Sequence, residues 1–135
     1  MQTFLPYPSF EETARIMDYR RLGKQRVEGL QIITIVTKPN DVSSWMNHPA
    51  VKMWRGYDMA LKLYVNVMIE EWIRRGFKNT MQYYDIGADE LVYPWWFGDS
   101  RFHDSHKSNL LRKYPEYYRQ FGWAVPNDLP YFWPV

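Results

Sequence analysis

The 135-residue sequence contains no cysteine, which excludes several kinds of chemistry at once. Disulfides, thiolate nucleophiles and cysteine-based zinc or iron–sulfur sites all need a thiol, and its absence fits a reducing compartment. Long apolar runs are missing as well. Pro6, Pro8, Glu11 and Glu12 interrupt the beginning of the chain, so we expect neither a signal peptide nor a membrane span. The sequence predicts a cytoplasmic protein.

A large excess of charge is also lacking. The formal net charge is only +2, so any attraction to a polyanion must come from local clustering of cations. Hydrophobic residues make up 46% of the chain and aromatic residues 19%, enough for one core, and we expect a single domain over residues 1–135. We find no repeat and no convincing strand pair. The predicted fold is all-α: a compact helical bundle with a long aromatic loop and an extended C-terminal tail.

Two helices are predicted in the first third of the chain. Ser9-Phe10-Glu11-Glu12 has the form of a capping box, which predicts a short helix from there to about Met17. Asp18 can begin a second helix, which should end near Thr37, before the breaker Lys38-Pro39-Asn40-Asp41. Helical geometry then separates a polar stripe from an apolar face. The stripe holds Arg21, Lys24, Glu28 and Gln31, and the apolar face holds Leu22, Val27, Leu30, Ile33 and Val36.

The rest of the chain is predicted to hold two more long helices and one short one. After a loop over residues 43–48, Pro49 suits the first turn of a helix that Arg74-Arg75-Gly76 would end. Apolar residues recur there at helical spacing: Trp54, Tyr57, Leu61, Tyr64, Val65, Met68 and Trp72. Residues 77–102 show no period and are predicted to be a loop. A fourth helix should start near Asp104 and break at Tyr114-Pro115. Pro115 should open a further short helix that Gly122 closes. The tail should lie extended and pack against the body through Trp123, Phe132 and Trp133.

The beginning of the second helix concentrates charged groups that suit chemistry on a polyanion. Lys24 and Glu28 lie one turn apart, as an imine-forming or acid–base mechanism on a sugar carbon would require. The alternative is a surface ion pair. Arg20, Arg21 and Arg26 crowd the same helix start, and like charges repel unless an anion relieves them. The cluster therefore predicts phosphate binding.

Three histidines and two tryptophans are further candidates. His48 precedes a helix that carries Lys52 and Arg55, and it can bind an anion or merely cap the helix. His103, His106 and Lys107 can contact phosphate, flank a pocket or, for the histidines, lie satisfied in the core. A metal site with His48 or Asp104 is a further alternative, although a structural metal needs about four ligands. Trp95 and Trp96 can stack on an exposed base or pack the loop.

Several of these features together resemble a known family. Arg20-Arg21, Arg26-Val27, the later His103-Asp104-Ser105-His106 and the segment Tyr114–Tyr118 are similar to the pyrimidine-dimer DNA glycosylases of the phage endonuclease V type. Small, mostly uncharacterised bacterial and phage members share the RLGKQRVE and NHPAVKMW signatures, here residues 21–28 and 47–54, and resemble nearly the whole chain. The resemblance implies an α-helical DNA repair enzyme that extrudes a base from duplex DNA. It also implies an imine with the N-terminal amine, a helix glutamate that assists, and arginines on phosphates.

The chain departs from that family pattern at two positions. Characterised members expose a threonine amine after methionine removal, whereas Gln2 is too large for ordinary methionine excision, so the amine would be that of Met1. Arg21 stands where the family has its glutamate, which leaves Glu28 as the nearest carboxylate on the stripe. Fold and nucleic-acid binding transfer more directly than the dimer-specific mechanism.

The leading hypothesis is a base-excision glycosylase, with possible abasic-site lyase activity, that acts on damaged or modified pyrimidines. Its catalytic candidates are Lys24, Glu28 and Met1, and its nucleic-acid-binding candidates are Arg20, Arg21, Arg26, His48, Arg55, Trp95, Trp96, His103, His106 and Lys107. We expect duplex DNA as the partner, with no cofactor, no metal, no membrane and no obligate protein partner. Two rival hypotheses are a non-catalytic nucleic-acid-binding module and a metal-dependent nucleotide hydrolase that uses His48, His103 and His106.

Overall fold

The fold begins with an extended segment that is enclosed by helices rather than lying on the surface. The computed structural model describes residues 1–38, 44–87 and 91–135, and at Ser44 and Trp45 only the backbone. Residues 2–6 are all buried. Leu5 is fully enclosed, and Trp54 donates from its indole nitrogen to the Thr3 hydroxyl at 2.9 Å. The core is therefore built around the beginning of the chain.

The described residues form six α-helices. They are α1 (Phe10–Ile16), α2 (Tyr19–Val36), α3 (Pro49–Lys52), α4 (Asp58–Arg74), α5 (Ser100–Lys113) and α6 (Pro115–Tyr118), with 3-10 turns at Ser44–Asn47 and Arg119–Phe121. The most extensive packing joins α2 to α4, and α1 also packs on α4. Among the described residues there is no strand, so the predicted all-α class is confirmed.

Side-chain caps explain where the first two helices begin. The Ser9 hydroxyl accepts from the backbone nitrogen of Glu12 at 3.1 Å, and an Asp18 carboxylate oxygen accepts from that of Arg21 at 3.3 Å. Both caps satisfy amides that have no partner inside the helix. The predicted starts are confirmed, as is the end of α2 at Thr37. Of the predicted breaker, residues 39–41 lie outside the described ranges.

Two predicted helices differ from those in the structure. The helix predicted from Pro49 to Arg74 is two helices, because residues 53–57 form a turn in which Gly56 has a φ of +87°, a conformation that favours glycine. The predicted loop before it contains the 3-10 turn Ser44–Asn47, while residue 43 is not described. The fourth helix begins at Ser100 rather than at Asp104, since Asp99 caps it by accepting from the Arg101 backbone.

The C-terminal part agrees with the sequence. Helix α5 ends at Lys113 with Tyr114 as its C-cap, Pro115 opens α6, and Gly122 follows with a φ of +65°. Trp123, Phe132 and Trp133 of the extended tail pack against the core, as predicted. No described helix is long and apolar enough to cross a bilayer.

The buried face of α2 differs from the predicted one. Val27 and Leu30 are 44% and 38% exposed, whereas Gln25 and Gly29 are buried against α4. The reason is the approach of α4 along the glycine side of the helix: a Cβ on Gly29 would lie 2.4 Å from Val65 Cγ2. The prediction that Val27 and Leu30 face the core is wrong, and a glycine and an amide replace them there.

This close approach predicts that Gly29→Ala destabilises the protein. Overpacking a core costs about 1–3 kcal/mol, only partly offset by the ~1 kcal/mol that alanine gains over glycine in a helix. Val65 is a stiff β-branched side chain and cannot easily move away. Urea denaturation should therefore show a lower free energy of unfolding for Gly29→Ala. In a Val65→Ala background, Gly29→Ala should not lower the free energy of unfolding. An equal decrease in both backgrounds would contradict the steric explanation.

Candidate active site

An open cleft of about 1060 Å³ lies where the N-terminal segment meets the beginning of α2. Asp18 caps the helix there, so the following turns present their side chains to the cleft. Met1, Lys24 and Glu28, the three predicted catalytic residues, all line it. The structure thus brings together an amine at the chain terminus, a lysine amine and a carboxylate.

Cationic groups outnumber acidic ones in the lining of this cleft. Six cationic groups face two carboxylates, Asp18 and Glu28, and the cations are the Met1 amine, Arg20, Arg21, Lys24, Arg75 and Lys113. Arg21 pairs with Asp18 at 3.3 Å, and Arg75 pairs with Glu71 at 2.8 Å. Arg20, Lys24 and Lys113 form no ion pair with the described residues. A concave site with surplus positive charge attracts an anion such as a phosphate.

One buried side chain, Gln25, is hydrogen-bonded both to the N-terminal segment and to Glu28. The amide nitrogen of Gln25 donates to the Gln2 carbonyl at 3.0 Å and to a Glu28 carboxylate oxygen at 2.9 Å. On its other side the Gln25 amide oxygen accepts from the backbone nitrogen of Phe4 at 2.9 Å. The first residues of the chain and the carboxylate therefore share one anchor.

His103 and His106 of α5 lie beneath this segment, not in the cleft. His106 Nδ1 accepts from the Leu5 backbone nitrogen at 2.9 Å, and His103 Nδ1 lies 2.7 Å from the Leu5 carbonyl. His103 Nε2 accepts from the Gly98 nitrogen, so its Nδ1 must carry the proton that is donated to Leu5. Burial lowers the pKa of both rings, that of His106 to about 3. In this structure both are neutral core histidines, one of the alternatives that the sequence left open.

His48 does line the cleft, and it also caps a helix. Its Nδ1 accepts from the Ala50 backbone nitrogen at 3.0 Å at the beginning of α3. Burial, and after it the positive charge of the Met1 amine, lowers the pKa of His48. A neutral ring whose Nδ1 accepts presents its Nε2 as an N–H donor. His48 thus caps α3 while its ring lines the cleft.

The remaining predicted residues lie outside the cleft. Arg26 donates to Asn79 Oδ1 at 2.7 Å, with its guanidinium 4.4 Å from the Trp72 ring. Arg55 donates to the Met46 carbonyl. Lys107 lies over the Tyr7 ring at 5.2 Å. The predicted clustering of Arg26 with the other two arginines is therefore not observed.

The two predicted stacking tryptophans have different environments. Trp96 is fully buried, packs edge-on to Trp54 at 5.0 Å and donates to the Met53 carbonyl, so it has no face free for a base. Trp95 is 62% exposed but does not line the cleft. Trp96 packs the loop against the helices, which is one of the two alternatives that the sequence left open.

The sequence did not reveal the aromatic residues that do line the cleft. Tyr19 is 49% exposed at the entrance, and Tyr114 and Tyr117 stack on each other at 5.7 Å. Tyr131 and Trp133 come from the tail. The only signal was the tyrosine-rich segment that begins at Tyr114, and nothing local connects residues 131 and 133 to the second helix. These rings give the cationic cleft flat apolar surfaces, which suit nucleobases.

The histidine arrangement does not resemble a metal centre. Within residues 1–38, 44–87 and 91–135 there is no group of three or more histidine or acidic side chains placed to hold an ion. His103 and His106 use ring nitrogens on backbone groups instead. The metal-hydrolase hypothesis therefore gains no support from the positions of its three histidines.

Comparison with protein-family models finds one described as pyrimidine dimer DNA glycosylase, which matches residues 1–85. The match covers less of the chain than the near-complete resemblance to small bacterial and phage members. It includes Met1, Arg20, Lys24 and Glu28, whereas the cleft residues from Lys113 onward lie beyond it. No curated protein matches the chain, and neither does any solved structure.

Proposed function

Because the chain belongs to the pyrimidine dimer DNA glycosylase family, we propose that its cleft excises a damaged or modified pyrimidine from duplex DNA through an imine with the Met1 amine. The observation that supports the proposal is the convergence of the terminal amine and Glu28 in one cation-lined cleft. Arg20, Arg21 and Lys24 would hold phosphates that flank an extruded nucleotide. The cleft rings would contact its base.

The chemistry of this proposal uses only groups of the chain. The free amine of Met1 attacks C1′ of the nucleotide, the C1′–N1 bond breaks, and the base leaves with the bonding electrons and takes up a proton. Opening of the sugar ring then gives an imine between Met1 and C1′. Glu28 would move the protons that these steps release and require. The imine also acidifies the C2′ proton, so its removal would break the C3′–O bond and give lyase activity, whereas water would release an abasic product.

Met1 is a better nucleophile candidate than Lys24 for a geometric reason. The Gln2 carbonyl and Glu28 are bonded to the same Gln25 nitrogen, which keeps the first residue of the chain near the carboxylate. Lys24 is exposed on α2 and forms no ion pair with any described residue, so its long side chain is not fixed in one position. A reacting amine must be held close to its target and its base.

Borohydride trapping tests the proposal and identifies the amine. Duplexes that carry pyrimidine dimers, hypermodified pyrimidines or plain sequence are incubated with the protein and reductant, since only an imine gives a stable covalent adduct. Trypsin should then yield the adduct on peptide 1–15, which contains no lysine, so the attachment site there can only be the Met1 amine. Lys24→Ala should keep the adduct and weaken binding to DNA in a salt-dependent manner.

A matched control is Lys52→Ala, which removes an exposed lysine outside the cleft and should change neither result. An adduct that maps to Lys24 would overturn the assignment of Met1 but not the enzyme class. Salt-dependent binding with no adduct and no abasic product on any duplex would favour the non-catalytic binding module instead.

A further inference from the structure

The Gln25 side chain beside the cleft is fully hydrogen-bonded. It is 0% exposed, and its amide oxygen accepts from the Phe4 backbone at 2.9 Å and from the Tyr64 hydroxyl at 2.7 Å. Its amide nitrogen uses both hydrogens, one on the Gln2 carbonyl and one on Glu28. A buried polar group must be satisfied, but satisfaction alone does not require that one amide joins a chain terminus to a carboxylate.

We propose that Gln25 is a positioning residue whose amide nitrogen sets the position of the Met1 amine relative to Glu28. The inference rests on the proposed function, in which these two groups react together. Gln25 is fully buried and takes no part in the bond changes. Its role is to orient the two groups that do.

The need for such a residue follows from the mobility of chain termini. The first residues of a domain are poorly ordered unless they are tied down. Leu5 is held through His106, and Thr3 through Trp54. The Gln2 carbonyl accepts from the Gln25 nitrogen, and among the described residues this is the backbone hydrogen bond nearest to the Met1 amine. A displacement of about 1 Å at a reacting group can lower a rate about 10²-fold.

Gln25→Glu separates the two halves of the side chain. The substitution keeps the shape and the oxygen that accepts from Phe4 and Tyr64, but it places an acceptor oxygen against the Gln2 carbonyl and Glu28. We expect the single-turnover rate of excision to fall about 10²-fold, with DNA affinity retained. As the pH falls, the introduced carboxyl becomes protonated and regains one donor. The ratio of the variant rate to the wild-type rate should therefore rise.

Asn66→Asp is a matched control. The Asn66 amide on α4 also clamps a backbone segment, donating to the Tyr84 carbonyl at 2.9 Å and accepting from the Tyr84 nitrogen at 2.8 Å, and it does not line the cleft. The same exchange of amide for carboxylate there should leave the excision rate unchanged. The positioning role is overturned if the excision rate falls by the same factor in both variants, or if Gln25→Glu keeps the wild-type rate.

A second measurement does not depend on activity. With ¹³C-methyl methionine, the Met1 signal of Gln25→Glu should narrow because its residue becomes mobile, while the signals of Met17 and Met68 in the core stay unchanged. An unchanged Met1 signal would overturn the inference even if the protein is active. Absence of excision and adduct in the wild-type protein, together with a narrowed Met1 signal in the variant, would count against the proposed function and leave the anchoring of Met1 by Gln25 supported.

Discussion

Glu28→Gln should lower the single-turnover rate of base excision by about 10²–10⁴-fold, the usual contribution of a general acid–base group. The amide oxygen of the new side chain can still accept from Gln25, so the geometry of the cleft is kept. DNA affinity should be equal or slightly higher, because a negative charge that repels phosphates has been removed. Rapid-quench assays of product formation and titrations of DNA binding would measure the two effects separately.

Glu70→Gln controls for the change in net charge. Glu70 is exposed on α4 and does not line the cleft, so the variant should excise at the wild-type rate. A Glu28→Gln protein with full activity would mean that another group moves the protons. Loss of DNA affinity in parallel with the rate would indicate instead that Glu28 supports the shape of the cleft.

The free energy of unfolding should decrease steeply as the pH falls from about 6.5 to about 3, and His106→Asn should remove much of that slope. Burial, with a smaller effect of His103, lowers the pKa of His106 to about 3 from an ordinary value of 6.5. The unfolded chain therefore takes up a proton in this range that the folded protein does not. The stabilisation is complete above the pKa that His106 has in the unfolded chain. It is lost as the pH falls to the pKa that His106 has in the folded protein. One such proton is worth about 1.4 kcal/mol per pH unit.

Asparagine suits this test because its Oδ1 can take the place of His106 Nδ1, accept from the Leu5 nitrogen and not titrate. Urea denaturation at several pH values from 3.5 to 7 gives the free energy of unfolding as a function of pH for each protein. The slope for the wild type should exceed that for His106→Asn by the equivalent of roughly one bound proton. His48→Asn is the matched control, since Nδ1 of that partly exposed ring also accepts from a backbone nitrogen, and its effect on the slope should be smaller. Equal slopes for wild type and His106→Asn would contradict the assignment.

Features that depend on neighbouring residues were predictable from the sequence. Ser9 and Asp18 begin helices because their side chains accept from amides three residues later, and Pro115 begins one because its fixed φ suits the first turn. The convergence of Arg21, Lys24 and Glu28 was also predictable, since helical spacing alone places them on one stripe.

Features that depend on residues far apart in the chain were not predictable from the sequence. Gln25 belongs to a polar sequence pattern, yet it is buried because the N-terminal segment offers it the backbone of residues 2 and 4 as partners. Trp96 and the two late histidines were candidates for binding, but partners far along the chain place them in the core. Tyr131 reaches the cleft only because the tail packs back across the helices. Local periodicity carries no information about such long-range partners.

The enclosure of residues 2–6 has a practical consequence for recombinant work. A purification tag fused ahead of Met1 would convert its amine to an amide and would have to leave the molecule through the cleft. Val135 is 70% exposed, so an affinity handle joined there has an open route to solvent. Any preparation meant for assay should carry its handle at that end.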